Sequence, residues 1–255
     1  MRALEPDLAT NAAEQAIRSR VSGSWSREKL YLLQCYAPAF VRACKRAEGG
    51  GFVDAFAGPG WNIDASGGRF LGSPQIACSL GFRDVVLIDT DEANADALCS
   101  LGLDQKATIL TGDANELLPA VLRSLPEWLP ILAFLDQDSN QVAWETLEQL
   151  AAHSRDRRRK PELLILLPTG MALTRFFRRD GCVLHPHILN KVFGSEEVWR
   201  PIEAARAAGR LRGARLIEEL ASRYAAQLHD ALGYAEEPLW RHVRRGGENG
   251  PILYT

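Results

Sequence analysis

The chain has 255 residues, 46% of them hydrophobic and 24% charged, with 30 Lys and Arg against 32 Asp and Glu for a net charge of −2. That size suits one large α/β domain or a core domain with a small appendage, and the composition is ordinary for a globular protein. No run reaches the eighteen or so apolar residues of a membrane span, and the acid-bearing N-terminus lacks a signal-peptide core, so a cytoplasmic location is expected.

The charge is unevenly spread. Residues 1–150 hold 12 Lys and Arg against 20 Asp and Glu, and residues 151–255 hold 18 against 12. This asymmetry points the C-terminal half at an anionic partner, nucleic acid first. Cys35, Cys44, Cys78, Cys99 and Cys182 form no close pair, which excludes a disulfide framework and a CxxC metal knuckle. Most of them read as small buried hydrophobes inside helices.

In chain order, residues 1–25 read as a polar, Ala-rich arm. A helix follows from Ser26, its stripe made by Leu30, Leu33, Ala37, Val41 and Cys44, with Pro38 expected to kink or break it. Short apolar runs then predict strands at Gly51–Asp54, Val85–Asp89, Thr108–Leu110, Ile131–Asp136 and Leu163–Leu167. Helices are predicted between them at 74–81, 93–101, 115–124 and 142–153. Such alternation predicts a parallel sheet buried on both faces, in a doubly wound α/β fold. Residues 171–232 change the rhythm, with helices near 196–208 and 213–231, and read as a helical insert. Strands near Pro238–Arg244 and Gly250–Thr255 close the sheet as an antiparallel hairpin. Residues 26–170 and 233–255 thus form one domain interrupted by the insert.

The segment Asp54-Ala-Phe-Ala-Gly58-Pro-Gly60 follows the first of these strands, where an α/β sheet holds a nucleotide-type ligand. Gly58 and Gly60 allow close backbone approach, and Asp54 brings a carboxylate. A dinucleotide fingerprint needs a third glycine where Ile63 stands, and no Gly-Lys-Ser/Thr is present. What remains is a cationic amino-acid nucleoside such as S-adenosylmethionine. Asp89, Asp113 and Asp136 end or follow the next three strands. Asp89 is expected to accept from ribose hydroxyls, Asp113 (with Ala114 beside it) to hold the adenine amino group, and Asp136 to face the transferred methyl.

These are the residues on which the chain resembles the three-Cys-motif partner proteins, a branch of the class I methyltransferase superfamily. The likeness runs from Lys29-Leu-Tyr-Leu-Leu through Val53–Gly60, Leu71-Gly-Ser-Pro-Gln-Ile-Ala77, Leu87–Asp91, Gly112–Ala114 and Phe134–Asp136. It continues in Leu189–Gly194, Trp199 and Gly250–Tyr254, covering residues 26–255. The resemblance implies a Rossmann-like, seven-stranded, mostly parallel sheet with a winged-helix-like insert after strand five. It also implies S-adenosylmethionine as cofactor and a three-cysteine protein as partner.

The expected cofactor pocket is Asp54, Phe56, Ala57, Gly58, Pro59, Gly60, Asp89, Asp113 and Ala114, with Asp136 as the catalytic residue. Arg175, Arg178 and Arg179, flanked by Phe176 and Phe177, are expected to hold a nucleic-acid substrate. One departure leaves the acceptor atom open. Asp136-Gln-Asp-Ser-Asn140 stands where the family has Asp-Pro-Tyr-Gly, and no Pro-Cys dipeptide offers a cytosine C5 nucleophile. A non-catalytic cofactor-binding partner and a peptide or small-molecule methyltransferase stay open beside the nucleic-acid reading. His185-Pro-His187 lacks the neighbours of a metal site, and none is expected. The basic run Arg155–Lys160 reads as a solvated loop at the edge opposite the crevice.

Overall fold

A computed structural model describes residues 18–153, 160–235, 238–245 and 248–254. The elements, in chain order, are β1 (Ser19–Val21), α1 (Ser24–Ala43), β2 (Gly51–Asp54), β3 (Trp61–Ile63), β4 (Arg69–Leu71) and α2 (Ser73–Ser79). Then come β5 (Asp84–Asp89), α3 (Glu92–Ser100), β6 (Thr108–Thr111), α4 (Ala114–Ser124), β7 (Ile131–Leu135), α5 (Trp144–Ala152) and β8 (Glu162–Leu166). After a π-helical turn, Thr169–Leu173, follow α6 (Pro186–Phe193), α7 (Glu196–Ala207), α8 (Ala214–Leu232), β9 (Leu239–Arg245) and β10 (Glu248–Tyr254).

The main sheet has the order β6-β5-β2-β7-β8-β10-β9. Its first five strands are parallel, and β10 runs antiparallel to both β8 and β9. The strand alternation follows directly from the apolar runs. Val53, Val86, Ile88, Ile131, Ala133, Leu135 and Ile165 point to one face, where α4, α5, α6, α7 and α8 pack. Phe52, Val85, Leu87, Leu132, Phe134 and Leu164 point to the other, under α1, α2 and α3.

Several expectations need correction. Pro38 does not break the first helix: α1 runs unbroken through it, and Gly23 rather than Ser26 precedes it as N-cap. Ala37 and Phe40, buried on either side of Pro38, hold the helix to the sheet through the gap in its hydrogen bonding. Of the cysteines only Cys78 is buried; Cys35 and Cys99 are exposed because they stand off the apolar faces of their helices, and Cys182 is exposed in the loop between Phe177 and Val183. Within the expected arm, residues 19–21 form β1, which pairs parallel with β3 in a small sheet completed by β4. Residues 171–232 do not fold apart. Leu189, Phe193, Trp199, Ile202, Leu220, Tyr224 and Leu228 belong to the same apolar cluster as the sheet, and α8 is the sheet's own covering helix. Among the described residues this segment holds one isolated bridge, Phe177 to Val183, and no wing. Arg155, Arg157, Arg158 and Arg159 lie outside the described residues. Among the described residues no helix is long and apolar enough to cross a membrane, and no group of metal-ligating side chains is assembled.

Candidate functional site

The loop after β2 is stitched to the tips of both neighbouring strands. Ala55 N donates to Phe134 O (3.1 Å) and Ala57 N to Ile88 O (2.9 Å). Gly58 and Gly60 then turn with φ of 65° and 85°, which only glycine adopts cheaply. Gly72, in the Gly-Ser-Pro motif, donates its N–H to Gly60 O at 2.6 Å, and a Cβ there would lie 2.6 Å from the same oxygen. The two glycine-bearing sequence motifs are therefore one piece of structure, with α2 starting against the turn.

Asp89, at the tip of β5, ties this loop to the next. Its Oδ2 accepts from Gly58 N (2.7 Å), and its Oδ1 accepts from Asp91 N (2.9 Å) and Asn94 Nδ2 (3.1 Å). A carboxylate offers about four acceptor sites, so roughly one remains for a ligand hydroxyl. Asp113 spends Oδ1 as the N-cap of α4, accepting from Asn115 N and Nδ2 at 2.8 Å.

Two buried groups lie beneath. Asp54 is fully buried; its Oδ1 accepts from Phe56 N at 3.1 Å and its Oδ2 has no partner. Desolvation pushes this carboxyl up to about 7, against the pull of the Ser73 hydroxyl and the Phe56 amide, with the Asp136 and Asp89 charges adding to the rise. Lys29, on α1, donates to both carboxylate oxygens of Asp136, just past β7, at 2.6 Å to Oδ2. The pair is largely out of solvent, with side chains 6% and 14% exposed.

Above these groups opens a crevice of about 600 Å³, within the range of small-molecule sites. Phe56, Pro59, Asp89, Asp91, Asp136 and Asp138 line it, with Arg18, Ser19 and Arg20 on one wall. Arg18 is ion-paired with Asp91 and Arg20 with Asp138, so β1 is fastened to loops on both sides. A second cavity of about 30 Å³ shares Arg20, Phe56, Pro59 and Asp136 with the crevice and adds Ser22, Ser26, Lys29 and Ser73. A groove of similar size, about 610 Å³, lies beside the starts of β5 and β6, where the sequence carries no motif.

Of the expected site residues, the structure gathers Phe56, Ala57, Gly58, Pro59, Gly60, Asp89 and Asp136 on the walls of these two cavities. Asp54 sits under the loop rather than on a wall, and Asp113 and Ala114 line neither cavity. Arg175, Arg178 and Arg179 also line neither; they are exposed on the segment that leaves the carboxyl end of β8, and Arg178 pairs with Asp180. Sequence reasoning missed Lys29, Arg18 and Arg20. For Lys29 a signal existed: it stands four residues before Leu33, in register with the apolar stripe. The 137–142 loop is firmly tied. Gln137 is buried, donating to Leu166 O (3.1 Å) and accepting from Gln141 N and Val142 N (2.8 and 2.9 Å).

No protein-family model matches the chain, and no curated protein does. Among solved structures it is similar to a conserved hypothetical protein of Streptococcus pyogenes, at 20% identity and a TM-score of 0.31, over 46% of this chain and 64% of that one. A candidate rRNA methylase from Clostridium thermocellum is similar at 12% identity and a TM-score of 0.43, over 89% and 93% of the two chains. A methyltransferase from Geobacter sulfurreducens follows at 14% and 0.38, over 99% and 92%. These likenesses concern the path of the chain; the functional reading rests on the crevice.

Proposed function

We propose that this chain is an S-adenosylmethionine-dependent methyltransferase that acts on nucleic acid. The observation that carries the first half is the acid-lined crevice at the carboxyl ends of β2, β5 and β7, floored by a glycine turn with no phosphate cradle. The groups present fit such a cofactor. Asp89 keeps about one acceptor site for a ribose hydroxyl, Phe56 and Pro59 offer apolar surface to the adenosine, and a Cβ at Gly58 would enter open space. Lys29 and Arg20, lining the small cavity with three serines, suit an α-carboxylate, while the crevice acids suit the cofactor's cationic character. Asp113, which follows β6 and lines neither cavity, is the adenine partner of this reading.

The cofactor supplies an electrophilic methyl group. Asp136, on the wall of both cavities, orients the acceptor and takes the proton it sheds, while Lys29 fixes that carboxylate's position. Acceleration comes largely from holding the two reactants in line. The nucleic-acid half of the proposal is supported by the basic C-terminal half and by the arginines after β8.

Calorimetry with S-adenosylhomocysteine tests the reading. The wild type should bind, and Asp89→Ala should weaken binding about tenfold to a hundredfold, the range for a hydrogen bond to a charged group. Because Asp89 also anchors Gly58 and Asn94, the melting temperature should fall in the same variant. Absence of binding by the wild type, with NAD or ATP binding in its place, would sink the proposal.

A further inference from the structure

The segment between β8 and α6 carries a feature that methyl transfer itself does not use. Phe177–Val183 closes a short hairpin, reinforced by Arg178 N to Cys182 O (3.0 Å) and Leu184 N to Phe176 O (2.8 Å). The chain then enters α6 through His185, whose φ of 53° and ψ of 58° are left-handed. Pro186 disfavours the right-handed helical region for the residue before it, so the helix starts at the proline and His185 stands outside it. This bend sets three rings in a row. His185 stands edge-to-face on Phe176 (centroids 6.0 Å, planes at 80°) and on His187 (5.7 Å, 89°). Phe176 is half-buried and forms the footing; both imidazoles are exposed. A perpendicular contact covers one face of one of its two rings, and every ring has two, so ring faces remain for a further planar group.

The surroundings are cationic. Arg175, Arg178, Arg179 and Lys191 are exposed here, against the single acid Asp180 in residues 170–194. Among the described residues neither histidine assembles with other ligands into a metal site. An acidic peptide would engage the arginines and leave the rings idle; a chain of unpaired nucleotides engages both. The segment also starts beside the crevice, since Gln137 Nε2 donates to Leu166 O, at the tip of β8.

We infer that Phe176, His185 and His187, with Arg175, Arg178 and Arg179, form a docking platform for single-stranded nucleic acid, the imidazoles stacking on unpaired bases and the arginines taking phosphates. This rests on the crevice being a transferase site and narrows its substrate to unpaired nucleotides. Stacking on an aromatic surface tolerates any base, so the platform selects strand state rather than sequence.

Fluorescence anisotropy with a labelled fifteen-nucleotide oligouridylate and its duplex with oligoadenylate tests this, with S-adenosylhomocysteine titrated into the same proteins. The wild type should prefer the single strand. His185→Ala/His187→Ala should weaken that binding about tenfold or more with an unchanged salt slope, and His185→Phe/His187→Phe should restore it. Arg175→Ala/Arg178→Ala/Arg179→Ala should flatten the slope of log affinity against log salt by about two units. Should the alanine pair lose its circular dichroism spectrum, His185→Gln/His187→Gln replaces it, and the Gln-to-Phe difference decides. Equal affinity of folded wild type for strand and duplex, no binding to either, or ring-less variants that bind like wild type overturns the platform. Loss of S-adenosylhomocysteine binding in the wild type overturns instead the transferase reading on which it rests.

Discussion

Burial without a counter-ion pushes the Asp54 carboxyl up to about 7, which makes the fold prefer its protonated form. An ordinary unfolded aspartate ionises near pH 4, so between about 4 and 7 the unfolded chain gives up this proton and the folded chain keeps it. Asp54 therefore costs the fold progressively more as pH rises across that window, and the cost is constant above it. Asp54→Asn, which keeps the acceptor for Phe56 N, should gain on the wild type from pH 4.5 to pH 7.5 in urea unfolding. A stability difference that does not change with pH would show that the site solvates the charge. The strand-end position of Asp54 was plain from its motif, whereas its depth was not, because depth is decided by the loop that folds over it. Lys29 shows the converse. A single lysine in an apolar stripe reads as a side chain that snorkels to solvent, and only the three-dimensional approach of Asp136 turns it into the buried half of an ion pair.

At the scale of elements, the five parallel strands were legible because each is a nearly continuous apolar run, which the two-sided burial of a doubly wound sheet demands. β1, β3 and β4 were not legible. Each has three residues, and their partly exposed pattern gives no alternation to read. Yet β1 and the residue just before it supply Arg20 and Arg18 to the crevice wall. α6 went unread for a similar reason: eight residues opening on Pro186 offer barely two turns of periodicity. The join between the β2 loop and α2 is tight enough to test. A Cβ at Gly72 would stand 2.6 Å from Gly60 O, a backbone atom that cannot swing aside, so α2 must shift. Gly72→Ala should cost about 1–3 kcal/mol, or roughly 2–12 °C in melting temperature at about 2–4 °C per kcal/mol, and weaken S-adenosylhomocysteine binding. Gly81→Ala is the control, since its Cβ would meet only Val41 Cγ1 at 3.7 Å. Equal effects of the two substitutions would refute the contact as the cause.

Over the whole molecule, one apolar cluster runs from the sheet through α4 and α5 into α6, α7 and α8. Tyr224 of α8 stands edge-to-face on both Trp144 of α5 (6.2 Å) and Phe193 of α6 (5.9 Å), so the covering helices interlock rather than stack as a separate lobe. The change of rhythm after residue 170 is real in the sequence, but it marks added helices on an existing face, a distinction that periodicity alone does not carry. A shared core predicts shared unfolding. Far-ultraviolet circular dichroism, which follows the entire chain, and tryptophan fluorescence, which includes Trp199 buried in α7, should give coincident urea transitions. Phe193→Ala should remove about 3–5 kcal/mol, as truncation of a fully buried ring does. Because that ring faces the cluster common to both halves, the whole transition should move to lower urea without splitting. A biphasic curve, in which Phe193→Ala moves one phase and leaves the other in place, would restore an independent 171–232 module. The ring platform at His185 would then sit on a body free to move against the crevice, and its distance from Asp136 would no longer be set by the fold.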